Sequence, residues 1–227
     1  MTTAHTSKDF EQELRTLRER LATMGERAAQ QIVRAMQALA DRDDDLARTV
    51  ISGDAQIDRD ENDIDELALQ ILATRQPVAS DLRFITMSLK FVVDLERIGD
   101  LAANIAKRAL ELNHLTPLDR PVDLPGLATL VLKNLHAALD SFVKRDADAA
   151  TRVIQADAEI DKLHGSLFAA LLAHVASDPA TVTRVLPLTS VCRYLERVGD
   201  HVKNLAEEVV YMVRAKDVRH RPILPSN

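Results

Sequence analysis

The feature that most restricts this chain is that it repeats itself. Residues 94–106 read DLERIGDLAANIA and residues 194–206 read YLERVGDHVKNLA, so Glu96, Asp100 and Asn104 return as Glu196, Asp200 and Asn204 at an offset of 100. Upstream, Asp54-Ala-Gln-Ile-Asp58 returns as Asp157-Ala-Glu-Ile-Asp161 at an offset of 103. Val50-Ile51 matches Val153-Ile154, and Arg42-Asp43 matches Arg145-Asp146. The change from 103 to 100 implies that three residues are missing from the second half between the two blocks. Self-similarity of this kind marks a duplicated unit of about 100 residues. The fold must therefore be one that can be built twice in a chain of 227 residues.

Each unit reads as three helices. The first is expected from about Ser7 to Asp41, the second from about Asp43 to Arg75 and the third after Ser80. The Ser80 hydroxyl is placed to cap that third helix, and Asp81 meets its positive end. Pro77 breaks the chain before it, and Ser177-Asp178-Pro179 plays the same part in the second unit. Residues 113–126, with Pro117, Pro121 and Pro125 and ending at Gly126, form the expected boundary. The units are then 1–112 and 127–216, with a tail at 217–227 that is expected to fray. Pro187 predicts a kink early in the last helix. The third helix carries a 3,4-spaced stripe of Ser88, Phe91, Leu95, Ile98, Ala102, Ile105, Ala109 and Leu112. The sixth carries Leu188, Val191, Leu195, Val198, Val202, Leu205, Val209 and Met212. Such spacing keeps side chains on one helix face. The expected fold is all-α, two tandem up-down-up three-helix bundles with helices about 45 Å long. Six Gly, eight Pro and 3% aromatic residues argue against an all-β alternative.

Charge and motifs remove several functions. The net charge of −6 offers no field for a phosphate backbone, so nucleic acid is not an expected partner. Cys192 is the sole cysteine, which excludes a disulfide framework and a Cys-rich zinc site and reads as a small core residue. Met1 to Phe10 has no apolar run of a secretory signal, and no stretch approaches the roughly 18 apolar residues of a membrane span. A soluble, cytoplasmic protein is expected. The seven His residues form no HExxH and no pair of ExxH motifs, and there is no phosphate-binding loop or nucleophile elbow. No catalytic residue is assigned.

What chemistry remains lies in carboxylates. Glu96 and Asp100 are four apart and share a helix face, as do Glu196 and Asp200, Asp54 and Asp58, and Asp157 and Asp161. Folding the first hairpin about residue 78 makes facing residue numbers add to about 156. Asp58 then stands level with residue 98, between Glu96 and Asp100. Folding the second about residue 179 sets Asp161 level with residue 197. Each bundle would bring four carboxylates to one height, where they need protons, basic partners or a cation. Oxygen ligands suit hard or borderline cations such as Mg, Ca, Mn or Fe. Glu96 and Asp100 point away from the Ile98 seam and are expected to be exposed, as a solvated face would also be. Gly99 and Gly199 each cost about 1 kcal/mol inside a helix, which close packing or ligand access would explain. Asn104 and Asn204 are expected to be surface polar residues. Glu61 and Asp65 align with His164 and Phe168, so the repeat does not support them as ligands.

LERIGDLAANIA and YLERVGDHVKNLA, together with RQPVASDLR at 75–83, resemble the signatures of the PhoU family over roughly Phe10 to His220. The resemblance implies tandem three-helix bundles that hold metal ions on paired acidic motifs. Those motifs fall here on Asp54, Asp58, Glu96 and Asp100, and on Asp157, Asp161, Glu196 and Asp200, with Mg, Mn, Fe, Zn or Ca as the ion. This chain departs from the pattern at Tyr194, where the first repeat has Asp94, and at His164-Gly165, where a further acid is expected. The resemblance also implies a regulator rather than an enzyme. Such a regulator restrains phosphate uptake and phosphate-starvation signalling when phosphate is plentiful. The implied partners are the ATPase of the phosphate ABC transporter, the sensor histidine kinase of the phosphate two-component system and a second copy of the chain. Membrane contact would come only through those partners. The alternatives are a metal-binding helical scaffold and a metal–carboxylate enzyme.

Overall fold

Six helices form in the computed structural model, which describes residues 3–219, and most of their ends have a chemical cause. They are α1 (Thr3–Asp41), α2 (Asp44–Thr74), α3 (Ala79–Asn113), α4 (Leu124–Lys144), α5 (Ala147–Ser177) and α6 (Val182–Arg214), with a 3₁₀ turn at Pro179–Thr181. The turns α1–α2 and α4–α5 use the same device. Arg42 (φ 57°) and Arg145 (φ 53°) adopt the left-handed conformation that ends a helix. The following aspartate then caps the next one: Asp43 accepts from the Leu46 N–H, and Asp146 from those of Asp148 and Ala149. This is why Arg-Asp recurs at an offset of 103.

Two local expectations are corrected. Ser80 does not cap α3. The chain stays extended through Val78 and turns at Ala79 (φ 43°), so Val78 holds the boundary position and Ser80 is already helical. A hydroxyl caps only from that boundary position. Asp81 does sit in the first turn. The helix expected from residue 127 begins at Leu124, inside the proline-rich segment. Asp123 caps it by accepting from Gly126 N–H at 2.9 Å, and Pro125 is tolerated because first-turn N–H groups have no helical partner. Pro187 is buried within α6, which runs unbroken across it. Residues 220–227 of the expected tail lie outside the described residues.

Both apolar stripes face inward. All of their members are buried except Leu112 and Leu188, which are half-buried. The bundles do not keep separate cores: a single cluster of buried residues runs through all six helices. Phe142 of α4 stacks on Phe91 of α3 with ring centres 4.5 Å apart, and on Phe84 at 6.1 Å. Across the same junction α1 packs on α4 and α3 on α6. Gly25 of α1 permits the first contact, since a Cβ there would run into Leu139 of α4. Helices α3 and α6 run antiparallel: Asp94 meets His201 and Asn204, while Met87 and Lys90 share a wall with Glu208 and Tyr211. The repeats are thus related by a pseudo-twofold, and the hairpin tips point to opposite ends. No helix among the described residues is long and apolar enough to cross a membrane.

Candidate metal centre

The register of each hairpin is recorded by its glycine. A methyl added to Gly99 would stand 2.6 Å from Ile57 Cδ1, and one added to Gly199 would stand 3.1 Å from Ile160 Cδ1. The first pair of numbers adds to 156, as the turn at residue 78 requires. Both glycines therefore exist first for close helix approach. Just beyond, Asp54 Oδ1 lies 3.5 Å from the same added methyl, and Asp157 Oδ1 lies 3.6 Å from its counterpart. Asp54 of α2 and Asp157 of α5 thus each lie beside the glycine that separates the two acids of α3 or α6.

The four acids of each repeat act on one another. In the first, burial raises the Asp54 carboxyl above its ordinary range, and Asp100 and Asp58 add repulsion. Glu96 is pushed up to about 7, first by burial, then by Asp100, with Arg97 opposing and Glu61 and Asp58 reinforcing. Its side chain is 15% exposed, against 39% for Asp100. The expectation that Glu96 is exposed is therefore corrected. Because α3 packs on α1, α2 and α6 at once, its apolar arc is wider than one seam. Glu96 Oε2 is buried and accepts no hydrogen bond, although Arg97 Nε lies 3.3 Å away. Arg97 also donates to Asp100 at 3.0 Å, and Asp58 is exposed.

In the second repeat, burial raises Glu196, with Asp200 and Asp161 adding and His164 opposing. It also raises Asp200, with Asp157 and Asp161 adding and Lys203 opposing. Asp157 is buried and receives a hydrogen bond from Lys203 Nζ at 2.9 Å. That bond holds the lysine above its usual range. Asp161 and Asp200 are exposed.

Two residues set aside at the sequence level belong here. Glu61 faces Glu96, and His164 faces Glu196, each adding its charge to the local balance. The hairpin register carried the signal, since Glu61 stands level with residue 95. Asn204 is exposed, as expected of a surface polar residue, and with His201 it holds Asp94 across the bundle junction, at 3.1 and 2.6 Å. Near that link, Glu208 is pushed up to about 9 by burial, then by Asp94. Cys192 is buried and its thiol is pushed up to about 11, as a core position demands. The acids are level but splayed: among the described residues, no three His, Cys, Asp or Glu side chains converge so as to hold a metal ion. All-oxygen donor sets are the kind that hard cations take, and Glu96 Oε2 is buried without a hydrogen bond.

The structure thus defines a class, an internally duplicated six-helix protein with an acidic face on each repeat. The family model described as PhoU domain matches it twice, at residues 21–109 and 124–209. The chain belongs to the PhoU family. It is 42% identical to the phosphate-specific transport system accessory protein PhoU homolog of Pseudomonas aeruginosa, over 96% of this chain and 90% of that protein. It is 36% identical to the Escherichia coli phosphate-specific transport system accessory protein PhoU, over 95% and 90%. The crystal structure of PhoU from Pseudomonas aeruginosa superposes with a TM-score of 0.88 at 41% identity, covering 91% of this chain and all of that one. The phosphate transport system regulatory protein PhoU from Streptococcus pneumoniae gives 0.86 at 28% identity, over 92% and 99%.

Proposed function

We propose that this chain is an accessory of phosphate transport that restrains uptake and phosphate-starvation signalling when phosphate is plentiful. The observation that carries this reading is the match of both repeats to one family, whose members in two of these organisms are named phosphate-specific transport system accessory proteins. The protein works in the cytoplasm without catalysing a reaction, by contacting the phosphate ABC transporter ATPase and the sensor histidine kinase, and pairs as a homodimer. Long rigid helices suit such contacts. The hairpin tips also carry exposed apolar residues: Leu69, Val78 and Leu82 on the first, Leu172, Val182 and Leu186 on the second. A partner would cover them.

In this reading a divalent or iron-type cation is held by Asp54, Asp58, Glu96 and Asp100, and a second by Asp157, Asp161, Glu196 and Asp200. Each relieves the repulsion that otherwise drives these carboxyls to keep protons. Side-chain rotation about the fixed helices would gather them. A deletion strain carrying a phosphate-starvation reporter tests the regulatory role. The reporter is expected to stay on in high phosphate, and to be silenced again when the gene is restored. A reporter that stays silent in the deletion strain overturns the reading. Co-purification with the ATPase and with the kinase identifies which contact is made.

A further inference from the structure

The two arginines at the linker end of the bundle junction border an apolar cavity of about 260 Å³. Its walls come from the ends of α1 and α3, the proline-rich linker and the starts of α4 and α6. Leu39, Leu112, Pro121, Leu124 and Leu188 are among its apolar lining residues. The only ionised side chains among its lining residues are Arg42 and Arg184, and no acid is among them. Of the acids beside these residues in the chain, Asp43 and Asp123 cap α2 and α4, Asp44 accepts from Asn113 Nδ2 and Glu111 pairs with Arg108, while Asp41 and Asp119 are exposed and are not among the lining residues. Arg42 is committed, donating through Nη2 to the carbonyls of Leu112, Asn113 and Leu115. Arg184 is not: it gives one bond, from Nη1 to the Pro117 carbonyl at 3.2 Å. A guanidinium has more donors than that bond uses, arranged to grip a carboxylate or phosphate.

We infer that this cavity binds a small amphiphilic anion, with an aliphatic body against the leucines and prolines and an anionic head on Arg184. Size and shape favour this occupant. The volume lies just under the roughly 300–1,000 Å³ of small-molecule sites, and the five chain segments that line it leave less room than one turn of a helix about 10 Å across takes up. Charge decides the rest, because a neutral or cationic head would leave the spare donors of the Arg184 guanidinium without an anion beside them. The site is distinct from the acidic faces and does not rest on the role proposed above.

Decanoate is the probe, titrated calorimetrically into the intact protein, with decanol and inorganic phosphate as comparison ligands. Saturable binding of one decanoate per chain is expected, at least tenfold tighter than either comparison ligand. R184Q should lose tenfold or more, and L188F, which narrows the cavity without removing charge, should weaken decanoate as well. Thermal melts of both variants, superposing on the parent without ligand, establish that they fold. If L188F does not fold, Thr116→Trp at the exposed rim replaces it. No saturable binding, equal binding of decanol, equal binding of phosphate, or decanoate affinity unchanged in R184Q would each overturn the inference.

Discussion

The two acidic faces descend from one unit, yet they balance their charge differently. The second holds its own cation, since Lys203 is bonded to the buried Asp157 and His164 faces Glu196. The first has Lys107 at the position of the repeat where the second has Glu207, and Glu61 where the second has His164. Its nearest base, Arg97, is half-exposed and divided between Glu96 and Asp100. The difference teaches that duplication preserved the backbone register while the charge compensation drifted. The first face is left in greater need of an external cation or of protons: burial first, and then the repulsion of Asp100, push Glu96 up to about 7.

The largest expected effect comes from removing acids at the first face. Combining Glu96→Gln with Asp100→Asn should lower Mn²⁺ affinity there at least a hundredfold in isothermal titration, about 2.7 kcal/mol. Glu196→Gln with Asp200→Asn should remove only a weaker phase. Equal losses at the two faces would break the comparison.

Lys203→Met sharpens it from the other side. Without that ammonium the second face should gain roughly tenfold in Mn²⁺ affinity, a modest claim for a unit charge so close to the site. An unchanged second phase would show that the lysine does not stand in for a cation.

The glycines separate packing from ligand access. Gly99→Ala meets Ile57 at 2.6 Å, and overpacking of about 1–3 kcal/mol exceeds the roughly 1 kcal/mol gained in helix propensity. A net loss of about 1 kcal/mol in urea denaturation is expected. Gly199→Ala meets Ile160 at 3.1 Å and should lie within about 0.5 kcal/mol of neutral.

The smallest effect is in pH dependence without metal. The folded protein holds the Glu96 proton more tightly than the unfolded chain does, so that contribution to stability is complete below about 4.5 and is lost as pH rises through about 7. Urea midpoints in chelator should fall across this window, less so in Glu96→Gln, and the fall should vanish with saturating Mn²⁺. Identical pH slopes in parent and variant would count against the assigned burial of Glu96.

Much of this was legible in the residues. The turns near residues 78 and 179 gave the hairpin register, and the register gave the level acids, because antiparallel helices of equal rise leave no other pairing. The stripes gave the core for the same reason. Depth was not legible at Glu96, since one seam does not describe a helix packed on three neighbours. The link from Asp94 to His201 and Asn204 joins residues over 100 apart across a junction whose geometry no local spacing encodes. The repeat even argued against it, because Tyr194 and Leu101 stand at the equivalent positions. Glu61 was discounted for lacking an acidic counterpart, when its counterpart His164 faces the same way with a different charge.

Metal content is the most direct test of the whole account. The protein, purified without chelator and passed through gel filtration with Mn²⁺, should retain metal by elemental analysis. Retention should be lost when Asp54, Glu96, Asp157 and Glu196 are replaced together by their amides, with the helical circular dichroism unchanged. Metal-free parent protein, or equal retention by the folded amide variant, would contradict the claim that these paired carboxylates are cation sites.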